Sequence, residues 1–177
     1  MRLTLFALLT VVAGLAHAHE GSYQVKIDRK TVPALLIAET QGSAGQSLDD
    51  FSRQLAPTLR TYTLQTGHEA CAVLCKAADG TVGARVFTIS SHTACPVLVS
   101  CPLGMKPTTQ TIHSHAERGE YRINEADRVL LPKVRIGERR RRGNPEAFSE
   151  EDMAGGPGYL VSPLGLQYFD GKNARSL

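Results

Sequence analysis

A single α+β domain, stapled by disulfides, is what this sequence predicts. Three observations lead there: one long stretch with helical apolar spacing, several short β-rich segments separated by turn residues, and four cysteines in a chain that opens on an export-type segment. No internal repeat or low-complexity linker divides the chain.

The first 18 residues have the form of a signal peptide. Arg2 supplies the positive start, Leu3 to Leu15 is nearly all apolar, and Ala16-His17-Ala18 has the small-x-small pattern of a cleavage site. The apolar run is too short for a bilayer span, and no second run reaches that length. Removal of residues 1–18 would leave 159 of the 177 residues, enough for one domain with a core of its own. The expected location is periplasmic or secreted. Cleavage would also expose His19, whose amine and imidazole could chelate copper if a second histidine such as His92 came close.

From residue 19 to 46 the chain reads as an N-terminal extension, with a strand at Ser22 to Ile27 and an apolar run at Val32 to Ala38. Ser47-Leu48-Asp49-Asp50 is a helix-opening signal. Leu48, Phe51, Leu55, Leu59 and Tyr62 then recur at helical spacing. Pro57 is expected to interrupt or kink this helix, and Gly67 to stop it. Glu69 to Lys76 reads as a strand, reversed at Ala78-Asp79-Gly80 and paired with Ala84 to Ser90. Ser91 to Pro107, with two cysteines and three prolines, reads as a stapled loop or short strands. A β-rich strand follows over Thr108 to His115. Ser149 caps a short helix ended by Gly155-Gly156, and Gly158 to Ser162 forms a hairpin with Leu166 to Phe169.

The even cysteine count in an exported chain favours disulfides. Cys71 and Cys75 on one strand lie about 13 Å apart, too far to bond each other. Two cross-linked pairings remain, and the nested one, Cys75–Cys95 inside Cys71–Cys101, suits a hairpin better. The spacings C-x3-C and C-x5-C are poor for a zinc held by four thiolates.

The formal charge of +3 is too mild to imply nucleic acid. Arg139 to Arg142 are four consecutive arginines without an interleaved aromatic. They read as a solvated loop, with docking of a partner protein's acidic surface or a processing site as alternatives.

Chemistry concentrates in Thr111-Ile112-His113-Ser114-His115. On an extended strand His113 and His115 project from one side, about 7 Å apart along the backbone. Two imidazoles so placed, with a carboxylate from elsewhere, can hold one zinc ion and leave a coordination position open. Ser149-Glu150-Glu151-Asp152 offers that carboxylate. Asp127, in Ile123-Asn124-Glu125-Ala126-Asp127, is the rival. His68 and His92 read as surface or core histidines.

Taken together, Glu69 directly after the helix, His113-Ser114-His115, Ser149-x-x-Asp152 and Gly158-Tyr159-Leu160-Val161-Ser162-Pro163 resemble the JAB/MPN (JAMM) metalloprotease family. The likeness runs from about Leu48 to Asp170 and is greatest to a bacterial branch of secreted and toxin-associated members. Ala116 stands where the family has proline, and 33 residues separate His115 from Ser149, so residues 116–148 read as an insert.

The resemblance implies a mixed sheet flanked by helices, with zinc held by His113, His115 and Asp152. It implies Glu69 as general base and Ser149 as donor to the oxyanion during hydrolysis of a peptide or isopeptide amide. A peptide or protein substrate follows, and for an exported member cell-wall peptides are natural candidates. A JAB-fold module without catalysis, serving as an inhibitor or envelope-assembly factor, is the alternative.

Overall fold

The computed structural model describes residues 23–27 and 29–177. The export-type segment and His19 lie outside the described residues. Ten strands and three helices follow in the order β1 (Tyr23–Ile27), β2 (Lys30–Gln41), α1 (Leu48–Thr66), β3 (Cys71–Lys76), β4 (Val82–Thr88), β5 (Lys106–Ser114), β6 (Glu120–Arg122), α2 (Glu125–Leu130), β7 (Arg139–Arg141), α3 (Glu150–Ala154), β8 (Gly158–Ser162), β9 (Gly165–Phe169) and β10 (Ala174–Ser176). Eight strands form one sheet in the order β1-β2-β4-β3-β5-β8-β9-β10, and β6 pairs with β7 in a separate ribbon. The β5–β8 pair is parallel and the other ladders are antiparallel, so the sheet is mixed.

Helix α1 forms where its apolar stripe predicts. The Ser47 side chain accepts from the Asp50 amide at its start, and Gly67 ends it in the left-handed region at φ 73° while donating to the Thr63 carbonyl. Pro57 does not interrupt it: the helix is continuous over 19 residues. Pro57 lies on the exposed face, where water can serve the carbonyl that lacks an amide partner. Phe51, Leu55 and Leu59 pack on Ala72, Leu74, Ala84, Val86, Ile112 and Tyr159 from alternate positions of the central strands. On the opposite face Val25, Val32, Ala34, Phe87 and Ile89 form a second cluster, covered in part by Leu98, Val129 and Leu130.

The disulfides correct the expected pairing. They join Cys71 to Cys95 and Cys75 to Cys101, so they interleave instead of nesting. The cause is topological. Strands β4 and β5 flank β3 on either side, and both run antiparallel to it. The connection from the end of β4 to the start of β5 must therefore retrace the length of β3 in the direction of β3. It meets Cys71 first and Cys75 second. Residues 91–105 make this return as a strap without strands.

Residues 116–148 are more ordered than their polar sequence suggests, since they contain the β6–β7 ribbon and α2. Asn124 and Asp127 close a reciprocal cap on α2. Among the described residues no helix is long and apolar enough to cross a membrane, and no cysteine is free.

Candidate metal centre

Alternation along β5 sorts its side chains between the two faces of the sheet. Ile112 and Ser114 point to the α1 side, and both are fully buried. His113 and His115 take the other side, with Cys71 beside His113 on the neighbouring strand. The His115 amide donates to the Val161 carbonyl at 3.0 Å, which keeps the chain extended beyond the end of β5. The two rings stand edge to face with centroids 5.0 Å apart, and Phe148 packs against His113.

Asp152 arrives from α3. Its Oδ2 accepts from the Ser149 amide at 2.8 Å, while Ser149 Oγ accepts from the Asp152 amide at 3.1 Å. This reciprocal cap holds both side chains at the mouth of the cleft. His113 Nε2 lies 3.2 Å from Asp152 Oδ1, and His115 Nε2 lies 3.4 Å from Asp152 Oδ2.

These separations suit a shared cation. Metal–ligand bonds of about 2.0–2.1 Å in a tetrahedral site put neighbouring donor atoms roughly 3.3 Å apart. One donor atom from each of the three residues falls within 4.8 Å of the others, so His113, His115 and Asp152 form a group that could hold a metal ion. His113 Nε2 is buried and faces Asp152 Oδ1 without the geometry of a hydrogen bond, although buried polar atoms ordinarily find a partner. Asp127, the rival carboxylate, is not part of the group.

Glu69 sits two residues before β3 and is buried. Its amide donates to the Ser91 carbonyl, and its own carbonyl accepts from Thr88 Oγ1 at 2.7 Å. The carboxyl lines the same cavity as the histidines and Asp152. Burial pushes its pKa up to about 8, against the attraction of His115 and with the repulsion of Asp152. Burial also opposes ionisation of Asp152, but its contacts with His113 and His115 outweigh this and hold it well below the usual carboxylate range. His115 shows the counterpart. Burial disfavours its charge, yet Asp152 and Glu69 raise its pKa overall.

The cavity has a volume of about 850 Å³ and extends well past this group. His92 lines it, and behind His92 lies Asp127, the rival carboxylate. Asp127 is fully buried and accepts from Ser91 Oγ, the His92 amide and the Asn124 amide, and its Oδ2 lies 2.8 Å from His92 Nδ1. His92 is thereby fixed in the cavity wall, stacked on Tyr121 and edge to face with His68. Its ring is tied to the core through Asp127, as a core histidine would be, and the residue also lines the cavity.

Nor are the four arginines one solvated loop. Arg139, Arg140 and Arg141 are exposed on β7, while Arg142 turns inward. It donates to the His92 carbonyl at 2.6 Å and to the Gly67 carbonyl at 2.8 Å, with its guanidinium 5.1 Å from the centre of the Tyr121 ring. The ribbon of residues 116–148 thus supplies one side of the cleft.

No protein-family model, no curated protein and no solved structure matches the chain.

Proposed function

We propose that the protein is an exported zinc-dependent peptidase of the JAB/MPN type, which hydrolyses a peptide or isopeptide amide outside the cytoplasm. One observation carries the reading: two imidazoles and a capped aspartate, distant in sequence, converge in a cleft that also holds the buried carboxyl of Glu69. Two nitrogen donors and one oxygen donor fit zinc, and three protein ligands are the usual number where a position is left for substrate or water. The two disulfides and the export-type N-terminal segment support action in an oxidising compartment. Cell-wall peptides are the natural candidate substrate there.

Zinc at such a site supplies Lewis acidity toward a carbonyl and acidifies water. The protein's own residues do the rest. Glu69, held out of bulk solvent, takes a proton at Oε and returns it to the departing amine nitrogen. Burial raises the proton affinity of the Glu69 carboxylate, which favours taking the proton, and the positive charge of a bound cation would favour the ionised form that can do so. Ser149 Oγ uses a lone pair to cap α3, and its hydroxyl proton stays available to donate to an oxyanion formed in the cleft. Burial of the histidines, each about 12 % exposed, limits competition from water.

The test is a pair of measurements on purified protein. Metal analysis should find about one zinc per chain. Glu69→Gln should retain that zinc while losing peptide hydrolysis by about 100-fold or more. Folded protein that takes up no zinc would overturn the reading. Glu69→Gln protein with undiminished hydrolysis would overturn the assignment of the base and favour a binding module that keeps the fold.

A further inference from the structure

The strongest unexplained feature of the cleft is Arg142. Its side chain is removed from the exposed run Arg139–Arg141 and tied to two backbone carbonyls 25 residues apart, Gly67 and His92. Tyr121 supports its face, and His92 beneath is locked by the fully buried Asp127. This is a rigid cation, assembled from the end of α1, the strap and the ribbon.

Among the described residues Arg142 has no ion-pair partner, although Arg118, Arg140 and Arg175 each pair with a carboxylate. Of the two carboxyl groups that attract Arg142, Glu69 makes no ion pair with it and Asp127 is consumed by Ser91, His92 and Asn124. A guanidinium carries five N–H donors, and the two carbonyls take two, leaving three. Half-buried, unpaired and prevented from swinging out, such a group favours a ligand with negative charge and planar acceptor geometry. It lines the same cavity as His113, His115, Asp152 and Glu69, and Arg141 beside it adds a second positive charge.

We propose that the Arg142–Tyr121–His92 wall recognises a carboxylate on the substrate, so that the cleft selects peptides bearing a free carboxylate near the scissile amide. The inference rests on the peptidase reading for its substrate class, but its binding chemistry is independent of zinc. Arg142 is a specificity-determining residue in this view. The carboxylate can be a C-terminus or an acidic side chain, since both present the same two oxygens.

Binding of matched peptides to the full, disulfide-bonded chain after zinc chelation tests this. The probes are acetyl-Ala-Ala against its C-terminal amide, and acetyl-Ala-Glu-amide against acetyl-Ala-Gln-amide. At least one carboxylate peptide should bind about tenfold more tightly than its neutral partner, and the pair that discriminates identifies the source of the carboxylate. Arg142→Gln should abolish the difference, with Arg142→Lys retaining only part of it, and thermal unfolding establishes that each variant is folded. Equal affinities within both pairs on the unaltered chain would overturn the proposal without any variant. So would discrimination that appears only after zinc is restored and survives Arg142→Gln, because the metal would then be the carboxylate's partner. Neither result bears on whether the chain holds zinc or cleaves peptides, which separate measurements decide.

Discussion

Thr63 Oγ1 and Ser114 Oγ lie 2.6 Å apart in the core, joining α1 to β5 at the residue between the two candidate ligands. Ser114 Oγ also accepts from the Ala70 amide at 3.0 Å, next to Glu69. One hydroxyl therefore connects the helix, the H-x-H strand and the segment bearing the proposed base. Both hydroxyl residues are almost completely buried, so their hydrogen bonds have no solvent substitute.

Ser114→Ala should therefore be costly although it removes a single oxygen. The Ala70 amide and Thr63 hydroxyl lose their partner, which predicts a stability loss of about 1–3 kcal/mol. Urea unfolding would read this as a lower midpoint with an unchanged slope. Ser114→Cys, with a weaker partner, should fall between the two.

Stability of the metal-free protein should fall as pH rises from about 4.5 to about 8. Over that interval Glu69 ionises in the unfolded chain while burial keeps it protonated in the folded one, so unfolding releases a proton and becomes easier with rising pH. His115 acts in the same direction. Its raised pKa gives stability that is full below its ordinary value of 6.5 and is lost as pH passes its folded value. Asp152 contributes at the acidic end. Its lowered pKa gives stability that is present above 3.8 and declines as pH falls. Melting temperatures across this range should slope downward above pH 5, and Glu69→Gln should flatten that slope.

Zinc should stabilise the protein by mass action. At a free concentration a hundredfold above the dissociation constant the gain is about 2.7 kcal/mol, or roughly 5–11 °C in melting temperature for a chain of this size. Asp152→Asn keeps an oxygen to accept from the Ser149 amide, so the cap on α3 should survive. Its zinc-dependent shift should be largely lost, while the shift persists in Glu69→Gln. A full zinc shift in Asp152→Asn would remove Asp152 from the ligand set.

Much of the candidate site was legible because its information is local. The parity of β5 puts His113 and His115 on one face, and Ser149-x-x-Asp152 specifies its own cap. The apolar stripe of α1 likewise announces the buried face that carries Phe51, Leu55 and Leu59. What escaped depends on the route of the chain. Interleaved disulfides follow from β4 and β5 lying on opposite sides of β3, an arrangement that cysteine spacing does not encode. Asp127 and His92 are separated by 35 residues and meet only through the fold. Arg142 has the same sequence context as three exposed arginines and differs from them because the ribbon ends there and turns into the cleft. Pro57 shows the converse: a residue that ordinarily disrupts a helix is harmless on its exposed face.

The most direct measurement is anomalous diffraction across the zinc absorption edge from crystals of the purified protein. One strong peak is expected within bonding distance of His113, His115 and Asp152, with the Glu69 carboxyl near the remaining coordination position. A peak coordinated by His68 and His92, or crystals of zinc-treated protein with no peak at the His113–His115 pair, would contradict this placement of the zinc.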